Sequence, residues 1–416
     1  MKNSLRPAQT IDQQELTDRP KQVRWPAREF SSPKVVSGKI HHVLYIIDQV
    51  CQLGGAERVL LEIIRRLPAD RFKCSVVTFQ VNPRLTALES ISSPLHVLPL
   101  RRTYDLRAIR SAIQLRSLIR REGVSIVHTF FETSDIWAAP VAKLSGCPVL
   151  VSSRRDMGIL RSRKHNLAYP VVNRIFDLVL AVSNEVRAYA LNHDHLPAER
   201  VETLYNGVDL EALDTKAGAE DVRSSLGIKP TSFVVTAVAN IRHVKGIDVF
   251  VQAAARVCSE CPDAVFLVVG GVLEPETFGK LQTLIASLGL QENFRFLGAR
   301  SNPYPVLAAS DVFCLPSRNE GFSNALIEAM ALRLPCVATR VGGNAEALTD
   351  GVNGFLVASE DAYSIAERLL RLLRDTKLRR NMGQAARQTA ESRFSMDAMM
   401  TRLAGIYEQL LAAKNV

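Results

Sequence analysis

The chain of 416 residues is about three times a typical domain, so it divides into two domains rather than one core. Apolar residues at 47%, charged residues at 23%, 22 Gly and 19 Pro are all near the soluble average, which excludes collagen-like, low-complexity and wholly disordered chains. The net charge of +10 is uneven: residues 1–215 hold 30 Lys and Arg against 22 Asp and Glu, leaving 22 against 20 for the rest. An anionic partner is therefore expected for the first half, and aromatics at 6% are too few for a nucleic-acid stacking platform.

Residues 1–38 are polar, Pro-punctuated and aperiodic, and they read as a flexible tail without the apolar core of a signal peptide. From Lys39 onward, short Val/Ile/Leu runs alternate with stretches at helical spacing, the pattern of parallel strands covered on both faces. HHVLYII, KCSVVTF, PLHVLPL, VSIVHTF, PVLVSS, DLVLAVS and VETLYN read as strands, with helices over 55–67, 106–121, 132–145, 165–176 and 184–191. The polar stretch 208–230, with two glycines and a proline, reads as an inter-domain linker carrying a short helix. The alternation then restarts with SFVVTAVAN, AVFLVVG, NFRFLG, DVFCLP, PCVAT and GFLV as strands. Helices are predicted near 247–260, 276–288, 303–309, 324–332 and 361–374, and a last one over about 396–413.

The fold class is thus α/β, two doubly wound Rossmann-like domains facing a cleft. Residues 39–210 form the first domain and 211–395 the second, and the helix within 396–416 is free to pack on either, including back on the first. No run reaches the ~18 apolar residues of a membrane span. Seven cysteines, mostly inside apolar runs, point to a reducing cytosol, and Cys258-x-x-Cys261 lacks the second pair or His that a metal site needs.

In open parallel sheets ligands bind where strands end and helices begin, so strand-ending motifs carry the chemistry. Leu53-Gly54-Gly55-Ala56-Glu57 follows the first strand and opens a helix, which suits a phosphate or carboxylate, or simply a strand-to-helix turn. Asn240-Ile241-Arg242-His243-Val244-Lys245-Gly246 sets two cations beside a helix start, as a diphosphate site or a solvated basic loop. The strongest segment runs from Leu315 to Ala331, LPSRNEGFSNALIEAMA. A strand enters a glycine-bearing loop and then a helix near Asn324, with Glu320 before it and Glu328 within it. Loop amides would face an anion while the two carboxylates accept from hydroxyls on either side, an arrangement that fits a nucleotide sugar.

On these segments, together with Asn206-Gly207-Val208-Asp209 and Gly342-Gly343-x-x-Glu346, the chain resembles the retaining GT-B-fold glycosyltransferases of family four, the group 1 transferases. The resemblance covers Leu53 to the C-terminus. It implies that Arg242 and Lys245 hold the donor diphosphate, and that Glu320, Gly321, Asn324 and the Phe322 and Ser323 amides hold the donor sugar and phosphate. Glu328 would take the ribose, with Gly54 and Gly55 lining the donor cleft from the acceptor side. Family members usually carry G-R-L where this chain has Ala239-Asn240-Ile241, so the role of Arg242 is less secure than that of Lys245. Many place a His where this chain has Arg154-Arg155-Asp156; His128, at the end of the preceding strand, is then expected to face the acceptor, or else to be a strand-end histidine bonded to its neighbours. The catalytic set is read as His128, Glu320, Lys245 and Arg242, with Arg154, Arg155 and Asn206 on the acceptor side.

No Asp-x-Asp pair occurs, so no metal or other cofactor is expected. The expected reaction is transfer from a nucleoside-diphosphate sugar, a UDP-sugar foremost, to a lipid-linked or surface-polysaccharide acceptor. Arg154, Arg155, Arg161, Arg163 and Lys164 favour a phosphorylated acceptor over a neutral one. The Arg-rich helix 106–121 reads either as a crossover helix with a solvated face or as a surface for anionic lipid. The enzyme is accordingly expected in the cytoplasm, peripheral on the cytoplasmic face of the inner membrane. A GT-B-type nucleotide-sugar epimerase and a non-catalytic nucleotide-sugar-binding protein are the alternatives, the second weakened by the presence of both glutamates.

Overall fold

The structure, a computed structural model, describes residues 38–51, 54–82, 93–100, 103–158, 161–217 and 221–416. Continuous apolar runs set the first sheet. Its central strand β1 (His41–Val50) is buried without a break from His42 to Ile47 and lies between β2 (Phe72–Val81) and β4 (Val124–Phe130). With β3 (Leu95–Val97), β5 (Val149–Arg154), β6 (Leu178–Ala181) and β7 (Val201–Thr203), it forms a parallel seven-stranded sheet of order β3-β2-β1-β4-β5-β6-β7. Such strands need helices on both faces. These are α1 (Gly55–Arg66), α2 (Leu106–Arg121), α3 (Ala139–Leu144), α4 (Arg163–Val172) and α5 (Asn184–His193).

Two short helices, α6 (Leu210–Ala217) and α7 (Val222–Ser225), lead to the second sheet. It comprises β8 (Val234–Val238), β9 (Val265–Val269), β10 (Phe294–Phe296), β11 (Val312–Leu315), β12 (Cys336–Thr339) and β13 (Gly354–Val357), in the order β10-β9-β8-β11-β12-β13. Its helices are α8 (Ile247–Glu260), α9 (Pro275–Ser287), α10 (Tyr304–Ala308), α11 (Asn324–Ala331), α12 (Asn344–Ala347), α13 (Ala362–Arg374) and α14 (Thr376–Arg393). In both sheets the strand order reverses once, between β1 and β4 and between β8 and β11, and a crevice opens at the carboxyl end of each reversal.

The chain then crosses back. α15 (Met396–Ala413) packs Met396, Met399, Leu403 and Tyr407 into the core of the first sheet beside Val43, Tyr45 and Leu180. Where it crosses, Val208 N donates to Phe394 O at 2.8 Å and Met396 N donates to Val208 O at 3.0 Å. A Cβ on Gly207 would sit 2.6 Å from the Met396 Cα, so glycine is required there.

The helix predicted over 132–145 is divided. Residues Ser134–Ala138 form a wider π turn before α3, because Pro140 brings no amide to the ladder and the hydrogen bonding slips to Ala139 N→Ser134 O. The second difference is α14, which the hydrophobic pattern leaves unpredicted. Its buried face is made of Gly383, Ala386 and Ala390 with Met382 and the charged Arg387, and small and charged residues give little periodic apolar signal.

Candidate functional site

The loop after β8 is built to hold one ammonium in place. Gly246 has φ +63, and a Cβ there would lie 2.1 Å from the Pro316 carbonyl, so this turn seats directly on the end of β11. Arg318 locks it from the other side, with its guanidinium forked onto Asp248 at 2.8 and 2.7 Å and bonded to the His243 carbonyl at 2.7 Å. Lys245 Nζ is thereby set 2.7 Å from Glu320 Oε1, and that oxygen also accepts from Ser317 Oγ at 2.7 Å. Arg242 does not join this pair. It faces Glu274 at 3.5 Å instead.

Ser323 caps α11, its hydroxyl accepting from Leu326 N at 3.3 Å, so the positive end of that helix opens just after Glu320. Glu328 lies one turn further in. Burial raises its carboxyl pKa, opposed by Arg58 of α1 and by a long contact of 3.5 Å from the Tyr304 hydroxyl. Across the crevice, Asn324 Nδ2 donates to the Gly55 carbonyl at 3.2 Å. Asn206 Nδ2 donates to Asn324 Oδ1 at 2.5 Å, and Arg155 Nη2 to Asn206 Oδ1 at 2.8 Å. A Cβ on Gly321 would stand 2.0 Å from the Arg155 carbonyl, so the Glu320 loop touches the end of β5. Gly54 is less constrained, since a Cβ there would meet only the movable end of the Glu57 side chain, at 2.5 Å. Phe322 turns its ring away from the crevice, against Tyr205 and Phe394 at ring distances of 5.2 Å. Glu346, the last residue of the Gly342-Gly343 motif, reaches the N-terminus of α5. It accepts from Asn184 N at 2.9 Å, Glu185 N at 3.0 Å and the Tyr205 hydroxyl at 2.6 Å.

The acceptor side requires a correction. His128 does not line the crevice: it is 1% exposed, with Nδ1 2.6 Å from the Tyr407 hydroxyl and Nε2 2.8 Å from Ser153 Oγ. Burial pushes its pKa down to about 3, so it is a neutral, structurally bonded imidazole. Nor is Arg154 open to an acceptor. It pairs with buried Asp135, donates to Asn173 Oδ1 at 2.8 Å and lies 4.2 Å from the centre of the Tyr169 ring. Arg161 covers the same ring at 4.0 Å and is forked onto Asp194 at 2.6 and 3.2 Å. Arg155 is half-buried, which lowers its pKa to about 10. These arginines, with Glu132 and Asp156, line a small pocket at the carboxyl ends of β4 and β5.

The structure therefore groups Lys245, Glu320, Gly321, Ser323, Asn324, Gly55, Asn206 and Arg155 along one crevice, with Glu328 behind them. It separates off Arg242, His128 and Arg154. Arg58, Tyr304, Arg318 and Glu132 were missed from sequence. Of these Arg58, one turn after Gly54-Gly55, and Arg318, two residues before Glu320, had a local signal, although the partner of Arg318, Asp248, lies 70 residues away; Tyr304 and Glu132 depend on contacts far apart in the chain. Among the described residues no three His, Cys, Asp or Glu side chains converge in a metal-ligating group.

Two family descriptions match the chain, "Glycosyl transferases group 1" over residues 219–389 and "Glycosyltransferase Family 4" over 53–212. The N-acetyl-alpha-D-glucosaminyl L-malate synthase of Bacillus anthracis is 30% identical over 74% of this chain and 80% of its own length. The UDP-Gal:alpha-D-GlcNAc-diphosphoundecaprenol alpha-1,3-galactosyltransferase of Escherichia coli is 26% identical over 87% and 95%. Among solved structures, a Rickettsia africae glycosyltransferase superposes with TM-score 0.80 at 20% identity, covering 89% of this chain and 99% of that one. Anabaena HepE, solved with UDP and glucose, superposes with TM-score 0.78 at 23% identity, covering 88% and 99%. At these identities the structural likeness establishes the fold, GT-B.

Proposed function

The chain belongs to the group 1, family 4 glycosyltransferases, and on that premise we propose that it moves a sugar from a nucleoside-diphosphate sugar, a UDP-sugar foremost, to a lipid-linked or surface-polysaccharide acceptor with retention of configuration. The observation that carries this reading is the Lys245–Glu320 pair, 2.7 Å apart at the strand-order reversal of the second sheet and beside the open end of α11. A diphosphate entering here meets the Lys245 ammonium and the α11 amides, and Glu320, released from Lys245, accepts from hydroxyls of the donor sugar. Glu328 does the same for the ribose.

In the reaction the bond between the anomeric carbon and the diphosphate oxygen breaks, and the acceptor oxygen bonds to that carbon from the same face. The acceptor proton passes to the leaving phosphate. Lys245 and the helix end stabilise the charge that develops there, so the chain's own cations serve in place of a metal. The E. coli relative named for UDP-Gal and a diphosphoundecaprenol acceptor, and HepE with UDP bound, support this choice of donor and acceptor.

Among the described residues no helix is long and apolar enough to cross a membrane. We place the enzyme at the cytoplasmic membrane face through α2, an Arg-rich helix with exposed apolar side chains. A thermal-shift screen with UDP-, GDP- and ADP-sugars tests the donor reading: a bound donor at 100 times its Kd stabilises by about 2.7 kcal/mol. A shift with one donor that disappears in Lys245→Ala is expected, and no shift with any of the three would overturn the assignment.

A further inference from the structure

Glu328 is a charged residue on an apolar helix, and what supports it comes from elsewhere in the chain. Its neighbours on α11, Leu326, Ile327, Ala329 and Met330, are all buried, and a carboxylate in such a setting is costly without partners. Among the described residues the one hydrogen bond to it is the long contact of 3.5 Å from the Tyr304 hydroxyl to Oε1. Oε2 is left unbonded.

The opposing charge is supplied by the first domain. The first residues of α1 and α11 touch, since Asn324 Nδ2 donates to the Gly55 carbonyl at 3.2 Å. Arg58 stands three residues after Gly55 and Glu328 four after Asn324, so each follows one turn along the same face of its helix. The Arg58 charge accordingly acts on both Glu328 and Tyr304, opposing the effect of burial on each. Its own helix does not claim it. Glu62, at i+4, accepts instead from Arg65 and Arg66 at 3.1 Å each, and among the described residues the Arg58 guanidinium makes no hydrogen bond or ion pair.

We propose that Arg58 sets nucleotide affinity from the first domain: facing Glu328 from α1, and with the Tyr304 hydroxyl on Oε1, it holds that carboxylate so that Oε2 accepts from the ribose hydroxyls of the donor. Arg58 is thus a positioning residue, acting through Glu328. Without the opposing charge, burial favours the protonated carboxyl, which has less acceptor capacity to offer a hydroxyl. This rests on the donor reading above, and it makes nucleotide binding in the second domain depend on a side chain of the first. The competing arrangement, a direct grip of Arg58 on the diphosphate, differs in one respect: it is indifferent to the ribose hydroxyls.

A ligand-observed NMR titration of the full chain with UDP, GDP and ADP, each beside its 2′,3′-dideoxy counterpart, separates the two. For the nucleotide that binds, Arg58→Gln should weaken the ribose form by about tenfold and Tyr304→Phe by about threefold. The dideoxy form should change by less than about twofold in either variant, which also reports that each is folded. Arg58→Lys keeps the charge and should recover most of the loss. A loss shared equally by the ribose and dideoxy forms, no loss with either, or a loss that Arg58→Lys does not lessen would overturn the proposal. Failure of all three nucleotides to bind the unaltered protein instead overturns the donor reading on which it rests.

Discussion

Lys245 and Glu320 satisfy one another at 2.7 Å, so a donor that binds between them must separate them and replace both contacts. Removing the ammonium leaves the 8% exposed Glu320 without its cation and takes away the diphosphate's point charge. We expect Lys245→Ala and Glu328→Ala each to lower kcat/KM by about 10–100-fold, the worth of a hydrogen bond to a charged group. Near-normal kinetics in both would remove these residues from the site. His128 behaves in the opposite way. Its pKa of about 3 in the folded chain lies below the ordinary 6.5, so the unfolded state binds the extra proton between those values. Stability is therefore full above about pH 6.5 and falls by up to ~1.4 kcal/mol per pH unit as the pH drops toward 3. Denaturant melts at pH 7 and pH 5 should show this slope in the wild type and a shallower one in His128→Gln; equal slopes would contradict it. Lys245 and Glu320 were legible in sequence because each stands next to a glycine in the turn that leads from a strand into a helix. His128 was misread because its partner Tyr407 lies 279 residues away.

Helices with a strong apolar stripe, such as α1 and α13, were legible within a residue or two, whereas α14 was not, since most of its buried face is small side chains and Arg387. Gly383 shows why: a Cβ there would lie 2.1 Å from the Arg333 carbonyl, so closeness rather than hydrophobic bulk seats the helix. A different kind of element contact joins α5 to the second sheet. Its N-terminus, capped within the helix by Ser183, also donates two amides to the Glu346 carboxylate. A carboxylate at a helix N-terminus is worth about 0.3–2 kcal/mol, and here it also ties the two Rossmann-like halves together. In Glu346→Ala the Asn184 and Glu185 amides should exchange with deuterium faster than in the wild type, and Glu346→Gln should fall between. Unchanged protection at both amides would mean that the contact does not persist in solution.

At the scale of the whole molecule, the charge of +10 separates from the site chemistry. The proposed donor site relies on one lysine and a helix end, and the arginines at the ends of β4 and β5 are offset by Asp135, Asp194 and Asp156, so neither accounts for the surplus. Much of it lies on the outer surface of the first half. α2 carries Arg107, Arg110, Arg116, Arg120 and Arg121 on its exposed side, and no acidic residue from Leu106 to Arg121. The same helix exposes Leu106 (83%), Ile109 (58%) and Ile113 (63%), spaced along one stripe, and Arg116 Nη1 holds the carbonyl of Leu144, itself an exposed apolar residue, at 3.0 Å. A crossover helix needs only its buried face, Ala108, Leu115, Leu118 and Ile119, and an apolar stripe on the opposite side is left uncovered by the described residues. Guanidinium groups flanking such a stripe are the arrangement that seats a helix on anionic lipid, at about 1 kcal/mol for each cation near the surface. Flotation with phosphatidylglycerol-containing vesicles should therefore recover the protein at low salt and lose it as salt rises, with neutral phosphatidylcholine vesicles recovering little. Ile109→Glu places a charge in the middle of the stripe and should weaken recovery by about tenfold while leaving donor-induced thermal shifts intact. Recovery that is equal on neutral and anionic vesicles, or insensitive to Ile109→Glu, would assign the positive surface to a partner other than the bilayer.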